Sequence, residues 1–237
     1  MNGLDNADRA KELLLAARIH ARHADFIAER PRDADEDVHM LAAVVDHVIE
    51  RCSEPGDVVL DPFAGFGTTL VRAVALGRKA VGVELLPERA AYLRHRVPAA
   101  RIIKGDARDL RTVLSNDEPP VAAGSVDLIL SSPPYMTRND HEADPLTGYE
   151  ENTGDYDRYL AELSVVAAQC AWLLVPGGLL VWNLADIHYR DVTTHLIDDC
   201  AAVLAQHLHP VGTSEIVWDQ YPHDLIADRL LVFRRAA

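Results

Sequence analysis

Short β-branched runs alternate with helical stripes over most of this 237-residue chain, and that alternation predicts its architecture. Apolar spacing along Leu13 to Ile27 and along Val38 to Ile49 fits two amphipathic helices, parted by the polar stretch RPRDADED at 30–37. From Asp57 the period changes. Strands are predicted at VVLD (58–61), AVGVE (80–84), RIIK (101–104), VDLILS (126–131), LLVWNL (179–184), SEIVWD (214–219) and RLLVFR (229–234). Helices are predicted to begin near Thr68 and Pro87, and to run over Tyr156 to Leu174 and Val192 to Leu208. Strand, helix, strand with short connections gives an α/β fold, a mostly parallel, doubly wound sheet of about seven strands with helices on both faces. Residues 220–228 are too few for a helical crossover, so the last two strands should close as an antiparallel hairpin. No repeat or linker divides the chain. Residues 1–55 are expected to form a helical segment packed on a single domain made by 56–237.

Composition agrees with one large core: 49% of residues are hydrophobic and 25% charged. Cys52, Cys170 and Cys200 lack the close spacing of zinc or redox motifs, and an odd number of thiols suits a reducing, cytoplasmic compartment. The apolar stretch from Val165 to Ala185 is broken by Pro176-Gly177-Gly178, which stops a helix and starts a strand, so no membrane partner is expected. The first 26 residues alternate charge along a helical stripe, unlike a cleaved export signal. Eleven histidines are scattered; His39, His47, His188 and His195 form no recognisable ligand set with acidic residues, and no metal is expected. Net charge is −14, which opposes non-specific binding to nucleic acid. Arg89, Arg94, Arg96, Arg101 and Lys104 nevertheless form a basic run without a carboxylate, suited either to a solvated helix face or to tracking phosphates.

Two turns carry the candidate chemistry. The first, Asp61-Pro62-Phe63-Ala64-Gly65-Phe66-Gly67-Thr68-Thr69, lies where the first core strand becomes a helix, the usual ligand position in an open α/β sheet. Gly65 and Gly67 allow a sharp turn and a close ligand approach, while Thr68 and Thr69 suit the free amides of a helix start. Leu70 stands where a dinucleotide fingerprint needs its third glycine, so that turn is incomplete. Glu84 ends the next strand, 23 positions after Asp61, a spacing suited to a carboxylate that accepts both hydroxyls of a ribose. Phe63 either lines a pocket or plugs the end of the sheet.

The second turn is Ser132-Pro133-Pro134-Tyr135, directly after VDLILS. Its two prolines fix φ and remove two donors, which holds Ser132 and the Pro133 carbonyl as acceptors. Such acceptors suit an exocyclic amine. Hydrogen bonds from its N–H groups localise the lone pair on nitrogen as it attacks, and holding two reactants in line supplies much of the rate. Tyr135 offers a face on which an extruded base can stack. Trp182 reads as core, and its neighbour Asn183 as a residue able to face the substrate cleft.

DPFAGFGTT resembles the first motif of the amino-methyltransferases, and SPPY resembles the catalytic motif of the N4-cytosine DNA methyltransferases. Their N6-adenine relatives usually carry Asp or Asn in place of Ser132. The resemblance runs from about Val38 to the C-terminus, through Glu84, Asp106, Pro176-Gly177-Gly178 and the two last strands. It implies a Rossmann-like class I methyltransferase fold, S-adenosylmethionine as methyl donor, and direct transfer to a flipped base. The donor would rest on Asp61, Phe63, Ala64, Gly65, Gly67, Thr68, Thr69 and Glu84. Asp106 would read the adenine amino group, though its spacing suits a helix-capping Asp equally. Carbon-5 methylation of cytosine needs a cysteine after a proline, and here Arg51, Gln169 and Asp199 precede the three cysteines.

The chain departs from that family in carrying no separate target-recognition segment. Residues 136–155 are a long polar stretch suited to a substrate lid, yet Met136 to Arg158 hold seven carboxylates against two arginines. Three substrates follow: DNA, with short or relaxed sequence preference or with basic surface borrowed from a second subunit in a homodimer; RNA, as in the similar tRNA guanine-N2 methyltransferases; or a small molecule or protein amide. The related glutamine methyltransferases prefer Asn at the position of Ser132. A non-catalytic accessory module is a further alternative, against which the intact Gly65, Gly67, Glu84 and Ser132 count.

Overall fold

A computed structural model describes residues 14–31, 39–139, 143–148 and 154–236. Its strands are β1 (Arg18–Ala21), β2 (Val58–Asp61), β3 (Lys79–Glu84), β4 (Arg101–Lys104), β5 (Val126–Ser131), β6 (Leu174–Tyr189), β7 (Val192–Thr194), β8 (His209–Trp218) and β9 (Leu225–Arg234). Its α-helices are α1 (His23–Glu29), α2 (Ala42–Cys52), α3 (Thr68–Ala75), α4 (Pro87–Arg96), α5 (Leu110–Ser115), α6 (Tyr156–Leu173) and α7 (Leu196–Leu204). They build one mixed sheet in the order β1-β8-β9-β6-β5-β2-β3-β4, with β7 on the outer length of β6. β2 to β6 pair in parallel, while β9 runs antiparallel to both β6 and β8. The expected doubly wound sheet and its closing hairpin are present, with two strands more than the seven anticipated.

Alternation along each central strand divides the apolar side chains between two cores. Leu60, Ile129, Leu180, Trp182, Leu231 and Phe233 face one layer, in which α5, α6 and α7 bury Leu110, Leu163 and Cys200. Their neighbours Val59, Leu128, Leu130, Val181, Leu230 and Val232 face the other, filled from α2, α3 and α4 by Val45, Leu70 and Leu93. A strand buried on both faces reads as a continuous apolar run, which is how VDLIL and LLVW appear in the sequence.

The N-terminal reading needs correction. The expected helix over Leu13 to Ile27 is β1 followed by the short α1; Leu13 itself lies outside the described residues. β1 is a four-residue edge strand, parallel to β8, in which Arg18 pairs with Glu215 and Ala21 with Trp218. Its backbone groups are satisfied by a partner some 200 residues away, so helical spacing in the local sequence could not decide the conformation. The second helix begins at Ala42, and Val38 also lies outside the described residues. The helix expected over Val192 to Leu208 is likewise divided: Val192–Thr194 add to β6 as β7, and α7 starts at Leu196. Among the described residues no helix is long and apolar enough to cross a membrane.

Candidate active site

Strand order reverses between β2 and β5, which run parallel. From β2 the chain winds outward through β3 and β4, then returns to place β5 on the other side of β2. A crevice opens beyond the carboxyl ends of strands at such a reversal. Both sequence-marked turns leave these two strands, so the topology brings them together. A cavity of about 380 Å³ lies there, and its walls include the Gly-rich turn, Glu84, Asp106 and Ser132 to Tyr135. All thirteen site residues named from the sequence line it.

Burial shapes the Gly-rich turn. Gly65 and Gly67 both take positive φ, at 51° and 84°. Gly67 is the N-cap of α3, where a Cβ would collide with Leu93 Cδ2. Only glycine fits this left-handed position under a packed leucine. Thr68 and Thr69 therefore do not cap the helix as expected: Thr68 is its first residue, Thr69 is fully buried, and no side chain caps α3. Glu84 pins the turn from the neighbouring strand, its Oε2 accepting from the Gly65 amide at 2.8 Å and its Oε1 from the Leu86 amide at 2.9 Å. Burial raises the Glu84 carboxyl above its usual range, with these two amides opposing the shift. Each oxygen keeps a lone pair for a ligand hydroxyl. Asp106 has a structural duty as well: it accepts from the Arg108 amide at 2.8 Å and holds the Arg108 guanidinium at 2.7 Å, so the capping alternative is observed. Phe63 lines the cavity and also packs against the core.

Asp61 couples the two turns. Its Oδ1 accepts from Ser131 Oγ at 2.5 Å and from the Phe63 amide at 3.1 Å. Desolvation pushes its carboxyl up to about 6, with the Ser131 and Phe63 bonds pulling the other way.

In the Ser-Pro-Pro-Tyr turn the direction of the hydrogen bonds matters. Tyr135 Oη donates to the Asn183 carbonyl at 3.1 Å and accepts from Ser132 Oγ at 3.2 Å. A carbonyl only accepts, which fixes the direction of the relay and leaves the Ser132 lone pairs available. Tyr159 of α6 donates to the Pro134 carbonyl at 2.9 Å and braces the turn from below. Tyr135 is thus held by its hydroxyl, a positioning duty that the expectation of a stacking platform did not include. Burial raises its phenol far above the usual range.

Sequence reasoning missed the far wall. Asn183 lines the cavity, as anticipated, and its Nδ2 donates to Asp228 Oδ1 at 2.6 Å. Trp218 Nε1 donates to Asp228 Oδ2 at 2.8 Å. Asp228 is 5% exposed, and burial pushes its carboxyl up to about 6. An acidic residue inside the apolar run LIADRLLVF was a readable signal. Phe26 of α1 closes this end, stacked on His39 at 4.5 Å and edge-on to Trp218 at 5.9 Å.

Four arginines of the basic run make contacts within the fold, and Arg94, Arg96 and Lys104 are exposed. Arg94 donates to the Ile102 carbonyl, Arg96 to the Phe66 carbonyl, Arg101 pairs with Asp117, and Arg89 lies over the Phe66 ring at 4.9 Å. The three cysteines are buried free thiols, and burial pushes Cys52 up to about 12. Among the described residues no group of three His, Cys, Asp or Glu is placed to hold a metal.

The sheet order and the paired turns define a class I S-adenosylmethionine-dependent methyltransferase fold. A SAM-dependent methyltransferase from Methanosarcina mazei superposes with a TM-score of 0.58 at 10% identity, over 80% of this chain and 97% of its own. Residues 40–94, about a quarter of the chain, match the model of the N6/N4 methyltransferase family, described as DNA methylase. A 4-amino-L-phenylalanine/4-methylamino-L-phenylalanine methyltransferase from Streptomyces pristinaespiralis is 30% identical over 182 residues, 67% of this chain and 57% of that protein. A DNA adenine methyltransferase of Escherichia coli K12 is 50% identical over 46 residues, 19% of this chain and 16% of its own length. The chain therefore spans little more than half of the first of these relatives and far less of the second.

Proposed function

We propose that this chain transfers a methyl group from S-adenosylmethionine to an NH2 group on an aromatic ring, directly and without a covalent enzyme intermediate. The Ser132–Tyr135–Asn183 relay carries this reading. It leaves Ser132 as an acceptor at the edge of the same cavity that the glycine turn lines. The residues fit the donor: a turn that admits no side chain at Gly67, a buried Glu84 with spare lone pairs, and Asp106 at the end of the next strand. S-adenosylmethionine supplies an electrophilic methyl group when bound. Ser132 accepts an N–H of the amine, Tyr135 holds Ser132 in place, and the prolines keep both from turning away.

Cytosine N4 in DNA is the nucleic-acid substrate that Ser132 favours over adenine N6, with an RNA base as the alternative. A free aromatic amine is the second reading. The relative named for 4-amino-L-phenylalanine supports it, since that match covers 67% of this chain and the E. coli DNA enzyme's covers 19%. Purified protein with radiolabelled S-adenosylmethionine should label one of these three substrate classes. Binding of the donor with no transfer to DNA, RNA or aromatic amines would defeat the proposal.

A further inference from the structure

The cavity has two ends of different chemistry. One holds the glycine turn, Glu84 and Asp106. The other, beyond Ser132, is walled by Phe26, Met40, Ile187, Ile216, Trp218 and Leu225. Its polar floor is Asn183 and Asp228.

Asp228 is the unusual group there. A carboxylate removed from water needs a cation or several strong donors to offset its lost hydration. Asp228 has three neutral donors, Asn183 Nδ2 and Trp218 Nε1, one to each oxygen, and the Arg229 backbone amide. Each oxygen retains acceptor capacity. Among the described residues lining the cavity, Arg89 is the one Lys or Arg, and it lies over Phe66 beside the glycine turn. Against it stand Asp61, Glu84, Asp106, Asp224 and Asp228. A phosphate brought beyond Ser132 would meet Asp224, Asp228 and apolar surface, with the His39 and His223 rings beside Phe26 as the titratable nitrogens of this end. A cation would meet a buried carboxylate held by neutral donors alone, near the Phe26 and Trp218 rings, the setting in which cation–π and ion-pair attraction add. The raised carboxyl of Asp228 fits a charge waiting for such a partner.

Resting on the reading that Ser132 receives an aromatic amino group, we propose that the substrate is a free aromatic amine carrying a second, positively charged group, and that Asp228 binds that charge. The base of a polynucleotide, which brings phosphate and no cation, fits this end poorly. Trp218 and Asn183 serve to hold the carboxylate in place, and Phe26 closes the ring side of the chamber.

An isosteric pair tests this on the intact chain. 4-(2-Aminoethyl)aniline carries an alkylammonium at neutral pH, and 4-propylaniline has the same shape without the charge. With S-adenosylmethionine saturating, the charged amine should show a KM at least tenfold lower. Asp228→Asn should bring the ratio of the two KM values close to one. Calorimetry with S-adenosylhomocysteine reports whether that variant keeps its fold, and the wild-type ratio stands without it. Equal KM values for the pair in the wild type would overturn the proposal, as would preferred methylation of deoxycytidine 5′-monophosphate or a DNA duplex. Transfer to cytosine but not to either amine would sink this inference while leaving the amino-methyltransferase reading intact. Transfer to none of these acceptors would sink both.

Discussion

Ser131 Oγ donates to Asp61 Oδ1 at 2.5 Å, joining the last residue of β5 to the last residue of β2. The bond spans the point where the strand order reverses, so the Gly-rich turn and the Ser-Pro-Pro-Tyr turn are registered by one contact between buried groups.

That contact has a measurable pH consequence. The Asp61 carboxyl is raised from 3.8 to about 6 in the folded protein. Between those values the folded state holds a proton that the unfolded chain has lost, so this group's contribution to stability falls as pH rises through the window and is flat above it. Two pKa units correspond to about 3 kcal/mol as an order of magnitude. The difference in melting temperature between Asp61→Asn and wild type should therefore shift in favour of the variant from about pH 4 to pH 7. An identical difference at both pH values would contradict the buried carboxylate. Asp228→Asn should shift the same way, since its carboxyl is raised over the same range.

Gly67→Ala places a Cβ against Leu93 at a φ of 84°. Left-handed strain of about 1–2 kcal/mol adds to the clash. S-adenosylhomocysteine affinity should fall at least tenfold by calorimetry, with a lower melting temperature. Gly56→Ala serves as control, having a φ of 96° but nothing within 4 Å of the added carbon. It should lose stability and keep affinity. Equal affinity in both variants would refute the tight-cradle account.

Tyr135→Phe removes the hydroxyl that accepts from Ser132 and donates to Asn183. Ser132 is then free to turn its proton toward the substrate. Steady-state kinetics should show kcat lower by about 10- to 100-fold, the scale of one lost positioning bond, with the KM for the methyl donor little changed. A loss expressed wholly in that KM would place Tyr135 in donor binding instead.

The βα repeats from β2 to β6 were legible because each strand is a compact apolar run flanked by turn residues, and DPFAGFGTT and SPPY stand at strand ends. Less of the outer parts could be read. RIHA, at 18–21, carries no strand signal of its own and owes its conformation to β8. Val192–Thr194 is β-branched and so suits a strand, but three residues are too short a run to stand out before the helical stripe of α7, and their pairing with β6 decides. Thr68 and Thr69 were expected as caps on composition, but Leu93, 24 or more positions away, dictates a bare glycine cap. Asp228 reaches Asn183 only through the antiparallel register of β6 and β9, a pairing that local sequence does not encode.

Single-turnover transfer by Ser132→Ala tests the central claim most directly. With donor bound at wild-type affinity, and with whichever amine the wild type methylates, the chemical step should slow by about 100-fold or more, the scale set by loss of one preorganised hydrogen-bonding group. Transfer at the wild-type rate would show that the fixed acceptor at Ser132 plays no part in the reaction.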